Sequence, residues 1–542
     1  MRSQRAAALS ASILLTVALA GATPAHQQRL DLETPTIPEL QREMNAGRLT
    51  SVELTGAYLS RIERLDGRLH AVITVNPDAL AQARQSDQRR RERRLLGPMD
   101  GIPMLLKDNV GTGDRQPTTA GSLALRAAKP KDAFIVGRLR AGGAVLLGKA
   151  NLSEWANFRS TQSASGWSAV GGQTANPYVL DRNPCGSSSG SGTAVAAQLA
   201  AVAIGTETDG SIVCPSGANA LVGLKPTIGR VSRTGIVPIS AAQDTAGPMT
   251  RNVTDTAVLL AAIHGADPAD PPTRQAQNPA DYTRFLDRGA LRGARIGVWR
   301  EGNVGVSNET DAVFDGAVAK LRELGATVVD PADLPGIGEV SGPEFTALLC
   351  EFKRDINAYL AATPGEHPRT LAGLIAFNRA NAGREMPFFG QEVFEAAEAT
   401  SDDAACAQAR TTATTLARKA IDDTLRAHRL DAIIAPTGSP AWPTDVINGD
   451  HFVLGSSTPA AVSGYPSITV PAGFAFELPI GVSFIGARWS EPRLIGLAYA
   501  YEQATRVRKP PRFLPVAPLH SGVTTAPVRV GTAGGEPNGA AR

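Results

Sequence analysis

Between about residues 160 and 250 the chain is crowded with glycine and serine and carries few charges. Such a composition by itself favours a flexible linker. Yet Val195, Leu199, Val202, Ile204, Ile212, Val213, Leu221, Val222 and Leu224 are scattered through it and need burial. Both demands are met if the segment is interior and its backbone is approached closely, where side chains would not fit. This is the expected site region. Within it, 194–204 reads as a helix.

The flanking sequence alternates helix and strand. Apolar residues recur at helical spacing through 37–94, with Thr50 as a plausible N-cap. A short apolar run at 101–108, bounded by Gly101 and Pro103, reads as a buried strand ending at Lys107-Asp108. Then come a helix at 134–140, a Gly142-Gly143 turn and a strand at 144–148. Further strands are expected at 295–299, 431–436, 466–471 and 480–485, and a helix at 491–505. This alternation of helix and strand suggests an α/β architecture. The length of 542 residues allows three or four domains of about 150 residues, but 43% hydrophobic residues also suffice for one large core. The tail, 509–542, is rich in Pro, Gly, Thr and Ala and is expected to be disordered.

Charge excludes little but simplifies the partner question. Lys+Arg 54 against Asp+Glu 51 leaves +3, so no polyanion partner, nucleic acid included, is implied. Arg89, Arg90, Arg91, Arg93 and Arg94 alternate with acids on a helix-like stretch and read as a solvated face. At the start, Arg2 and Arg5 precede an apolar run from Ala6 to Ala20, followed by Ala20-Gly21-Ala22. This has the form of an export signal over 1–22, cleaved near Ala22, with an uncleaved anchor as the alternative. After cleavage no membrane association is expected. Oligomeric state is not legible.

Cys185, Cys214, Cys350 and Cys406 form no C-x-x-C pair, so zinc is not expected, and four cysteines do not make a disulfide scaffold. The seven histidines fall outside the glycine-rich region and outside H-E-x-x-H spacing, which gives metal hydrolysis little support. The loop 185–192 lacks the lysine of a phosphate-binding loop. A serine-and-lysine arrangement remains. Ser187 and Ser188 lie in a glycine-flanked loop, Ser211 lies in a second, and Lys107 ends the earlier strand. A serine hydroxyl needs a neighbouring base, and lysine serves only if burial lowers its pKa from about 10.4.

Those loops resemble the amidase signature family. Its pattern runs approximately G-G-S-S-G-G-S, then G-T-D-x-G-G-S-[IV], then G-L-K-P-T. Here the chain has C-G-S-S-S-G-S at 185–191, G-T-E-T-D-G-S-I at 205–212 and G-L-K-P-T at 223–227. G-I-P-M-L-L-K-D, G-K-A-N-L-S-E-W-A, D-T-A-G-P-M, L-P-I-G-V-S-F-I-G and A-Y-E-Q match in order around them. The resemblance covers about 37–508 and implies an α/β fold, one large α/β/α domain with a mixed central sheet. It implies a triad of Ser211 as nucleophile, Ser187 as proton relay on a cis Gly186–Ser187 peptide, and Lys107 as base. It implies an oxyanion hole from the N–H groups of Thr208, Asp209, Gly210 and Ser211, with Ser188 in support. The implied reaction is hydrolysis of a carboxamide to acid and ammonia, with neither metal nor organic cofactor.

Three positions depart from the pattern: Cys185, Ser189 and Asp209 stand where the family has glycine. Asp209 either braces the loop or accepts a hydrogen bond from a substrate N–H. Within the family, N-P-C-G-S-S-S-G-S and N-L-S-E-W-A-N-F are most similar to members acting on the C-terminal carboxamide of peptides. Alternatives are a small aliphatic or aryl amide substrate, a role in a glutamine-dependent amidotransferase, and a non-catalytic binding protein.

Overall fold

Lys107, Thr206 and Glu207 lie at the ends of two neighbouring parallel strands, and the rest of the fold builds outward from that pair. The structure is a computed structural model describing residues 30–276, 279, 281–401, 403–518 and 522–527. From Leu32 on, the chain forms one unit. Its centre is an eleven-stranded sheet: β1 (Val72–Val75), β2 (Pro103–Lys107), β3 (Val145–Ala150), β4 (Val202–Glu207), β5 (Val222–Lys225), β6 (Thr245–Thr250), β7 (Arg295–Val298), β8 (Thr327–Val329), β9 (Ala432–Pro436), β10 (Ser467–Ala475) and β11 (Leu478–Ile485). In space they run β1-β3-β2-β4-β6-β5-β10-β11-β9-β7-β8. β2 is parallel to β3 and β4, and β7 to β8 and β9; the other neighbours are antiparallel. Every residue of β2–β6 and β9–β11 is buried, so the sheet is covered on both faces. This is the expected single α/β domain with a mixed sheet.

Local chemistry sets several boundaries. Thr50 caps the helix Ser51–Leu69 in a reciprocal box with Glu53. The expected helix at 194–204 is displaced: the helix is Ser189–Ala196, and Val202, Ala203 and Ile204 pair with Met104, Leu105 and Leu106 in the sheet. Sheet pairing outweighs the helical spacing of 195, 199 and 202. The early start is possible because a Cβ on Gly190 would lie 2.4–2.5 Å from backbone atoms of Ala71 and Asn151. Only glycine lets that helix touch the strand end.

A second, smaller core lies over one end of the sheet. Leu348, Phe352, Ile356 and Leu360 of helix Ser341–Ala362 pack with Leu371, Leu374 and Phe394, and with Trp155, Val237 and Ile239.

Part of the tail lies against the body. Leu514 bridges to Val179, Thr524 exchanges backbone hydrogen bonds with Phe474 at 2.9 and 2.8 Å, and Ala517 and Ala526 are buried. A segment with no core of its own thus pairs with backbone groups of the body. Residues 519–521 and 528–542, and the segment 1–22 read as an export signal, lie outside the described residues. Among the described residues no helix is long and apolar enough to cross a membrane.

Candidate active site

At the carboxyl end of β2, Lys107 Nζ lies 2.7 Å from Ser187 Oγ and donates to the Thr206 carbonyl oxygen at 3.1 Å. The side chain is wholly buried. Burial pulls its pKa down to about 7, against the opposing charges of Asp244 and Glu207. A substantial fraction is therefore neutral near pH 7, as a base requires. Asp244 is itself pushed up to about 6 by burial, although Thr208 Oγ1 and the N–H groups of Ile239 and Ser240 donate to it.

Ser187 follows a cis Gly186–Ser187 peptide. A Cβ on Gly186 would lie 2.3 Å from Ser153 Oγ and 2.8 Å from Ser165 Oγ, so this position also needs glycine. The Ser187 carbonyl accepts from Ser153 N–H at 3.1 Å. Ser188 N–H donates to the Ser211 carbonyl at 3.2 Å, which sets the backbones of the two serine loops side by side. Ser188 Oγ meanwhile donates to the Thr206 carbonyl at 3.1 Å.

The second loop, 208–211, is closed by an acid. Glu207 Oε2 accepts from the N–H groups of Ile212 and Val213 at 2.7 and 3.0 Å, where the helix Val213–Ala218 begins. Gly210 has φ +76°, and a Cβ there would lie 3.0 Å from Ser457 Oγ. Among the described residues the N–H groups of Asp209, Gly210 and Ser211 meet no protein acceptor. Ser211 is 8% exposed. Unpaired backbone N–H groups in a loop that ends at a serine are available to stabilise an oxyanion formed by attack of its hydroxyl.

Of the two roles expected, the structure shows the contacts of a brace for Asp209. Its Oδ2 accepts from Thr458 Oγ1 at 2.7 Å, a brace, while its buried Oδ1 has no partner. Burial raises its carboxyl, and burial together with the charge of Asp209 raises that of Glu344. Glu344 accepts from Gln243 Nε2 at 2.6 Å, and the same amide nitrogen donates to the Thr208 carbonyl at 3.0 Å. Arg410 fixes that amide by donating to Gln243 Oε1 at 2.7 Å while paired with Glu351. Nearby, Trp155, Ala156 and Asn157 take the left-handed conformation in succession, at φ 51°, 55° and 69°. Each such non-glycine residue costs about 1–2 kcal/mol, so the surround must hold the turn.

The Amidase family model matches residues 53–495. The chain belongs to the amidase signature family. A peptide amidase from Stenotrophomonas maltophilia is 51% identical, with a TM-score of 0.84 over 89% of this chain and 99% of that one. An Arabidopsis thaliana protein described as a probable amidase is 43% identical over 502 residues, 89% of this chain and 92% of its own length. A component of the glutamyl-tRNA(Gln) amidotransferase from Symbiobacterium thermophilum is 34% identical over 487 residues, 86% and 96% of the two chains.

Within this amidase the departures from the family pattern have structural reasons. Cys185 has φ +58°, the conformation a glycine adopts freely, and holds it while disulfide-bonded to Cys214. Ser189 begins the helix and donates to the Cys185 carbonyl at 2.6 Å. The second disulfide joins Cys350 to Cys406, so all four cysteines pair. Among the described residues no cluster of His, Cys, Asp or Glu is arranged to hold a metal ion.

Of the residues expected from the sequence, the structure sets Lys107 Nζ 2.7 Å from Ser187 Oγ and joins Ser188 N–H to the Ser211 carbonyl at 3.2 Å. Sequence reasoning gave these residues their roles. It gave no role to Glu207, Gln243, Glu344, Arg410, Asn157 or Thr458. An acid just ahead of a helix start is a signal for Glu207. Glu344, Arg410 and Thr458 come from more than a hundred residues away and leave no local signal.

Proposed function

We propose that this amidase hydrolyses the C-terminal carboxamide of peptides through an acyl-enzyme on Ser211. The observation that carries the reading is the buried, pKa-lowered Lys107 at 2.7 Å from Ser187, on a loop hydrogen-bonded to Ser211. Ser211 Oγ attacks the carboxamide carbon and passes its proton to Ser187, whose own proton goes to Lys107. The oxyanion is held by the N–H groups of the 208–211 loop, with the unbonded donors of Asp209, Gly210 and Ser211 at its centre. Collapse breaks the C–N bond, and the proton returns from Lys107 through Ser187 to the leaving nitrogen, giving ammonia. Water then attacks the ester by the same relay and frees the acid.

Two features support a peptide acyl group. One is the 51% identity to a peptide amidase. The other is Asp209 Oδ1, an unpaired acceptor that suits the N–H of the residue bearing the carboxamide. Two disulfides fit an oxidising compartment, which agrees with export directed by the amino-terminal segment. Ammonia release measured across peptide amides, free amino-acid amides, fatty amides and glutamine tests the substrate class. Peptide amides should lead. A clear preference for glutamine would instead favour the amidotransferase reading, and a preference for fatty amides would remove the role given to Asp209.

A further inference from the structure

Asn157 closes the left-handed turn that begins at Trp155. The turn is held by a wholly buried pair, Arg159 Nε to Glu154 Oε1 at 3.3 Å, and by Phe158 N–H donating to the Trp155 carbonyl at 3.0 Å. From it, Asn157 Nδ2 donates to Ser165 Oγ at 2.9 Å. Ser165 N–H donates to Asp450 at 2.9 Å, a carboxylate that also accepts from Asn183 Nδ2 at 3.1 Å and Trp442 Nε1 at 3.2 Å. The bond from Asn157 turns its amide nitrogen to Ser165 and leaves the amide oxygen on the other side. Its Oδ1 faces away from Ser165, is buried, and meets no donor among the described residues. A buried acceptor left unpaired calls for a ligand donor.

Ser165, the partner of that amide, lies beside the catalytic loop. Its Oγ lies 2.8 Å from where a Cβ would stand on Gly186, the first residue of the cis peptide. In the proposed reaction the leaving nitrogen must face Ser187, which hands it a proton. That nitrogen therefore lies on the Gly186–Ser187 side of the carbonyl. A carboxamide nitrogen carries two hydrogens, an ester oxygen none, and an internal peptide nitrogen one hydrogen and a carbon.

The geometry points to Asn157 as a specificity-determining residue whose Oδ1 accepts a hydrogen bond from the scissile carboxamide nitrogen, with Ser165 and Asp450 as positioning residues. This rests on the proposed roles of Ser187 and Ser211. A site built to pair a substrate N–H discriminates strongly against an analogue lacking it, because its own acceptor is then left buried and alone.

The test compares one acylated dipeptide as its carboxamide and as its methyl ester, by kcat/KM, which reports acylation for both. In Asn157→Ala the carboxamide value should fall by about 10- to 100-fold while the ester value stays within about threefold. Ser165→Ala, which leaves the turn untouched, should lower the carboxamide-to-ester ratio by a smaller factor. Equal proportional losses on both substrates, or an unchanged ratio in both variants, would overturn the assignment. Wild-type protein that releases no ammonia from the carboxamide would overturn the substrate reading beneath it.

Discussion

Cys185 stands two residues before Ser187, and its disulfide partner Cys214 stands three residues after Ser211. One covalent bond thus joins the two loops that carry the serines. Replacing both cysteines by serine, or reducing the bond, releases a closed loop with a sequence separation of 29 residues. The entropic contribution of such a loop is about 3–4 kcal/mol. With an unfolding entropy near 1 kcal/mol/K for a chain this long, Tm should fall by about 3 °C. Calorimetry with activity assays should find kcat/KM falling too, since the loops lose their mutual register. Full activity with a lowered Tm would make the bond a stability element alone.

The lowered pKa of Lys107 has a direct kinetic consequence. The base works neutral, so kcat/KM should rise with pH through about 7 and level off above it. Below that, protonated Lys107 cannot accept from Ser187. Lys107→Arg keeps a cation that does not deprotonate, and should lower kcat/KM by roughly a thousandfold or more at every pH between 6 and 9. A flat wild-type profile down to pH 5 would remove Lys107 as the base.

Asp209 tests what selects the acyl group. Asp209→Gly removes the unpaired Oδ1 and the brace to Thr458 together. The ratio of kcat/KM for a dipeptide amide to that for an aliphatic amide should narrow by about tenfold, mostly through the peptide value. Proportional losses on both substrates would leave Asp209 as a brace only.

Two glycines should respond in opposite directions to the same change. Gly190→Ala drives a Cβ within 2.4–2.5 Å of backbone atoms in Ala71 and Asn151, and should destabilise by about 1–3 kcal/mol or more. Gly56, inside the helix Ser51–Leu69, has nothing within 4 Å of its Cβ position. Gly56→Ala should stabilise by about 0.5–1 kcal/mol. Denaturant midpoints on the two variants check both signs.

These glycines also mark how much of the molecule its sequence discloses. The density of glycine at 160–250 pointed to close backbone approach, and Gly186 and Gly190 are where it happens. The strands at β2 and β9 were legible as short apolar runs between breakers. The turn between β10 and β11 was not, because Phe476 and Glu477 adopt φ 53° and 64° without the Asn-Gly that usually signals such a hairpin. Helix 189–196 was hidden by its own serines and glycines, which are poor helix formers until burial decides. In the site, Lys107, Ser187 and Ser211 stood out by motif. Glu344 and Arg410 could not, since only the packing of two distant helices, tied by Cys350–Cys406, carries them to Gln243.

The most direct test of the account is to trap the covalent intermediate. Acid-quenching the enzyme during turnover of a peptide amide, followed by intact-mass measurement and peptide mapping, should find the acyl group as an ester on Ser211. No adduct should form in Ser211→Ala, and its formation in Lys107→Ala should be slowed by at least roughly a hundredfold. An adduct on another residue, or turnover in Ser211→Ala within about tenfold of wild type, would contradict the assignment of Ser211 as nucleophile.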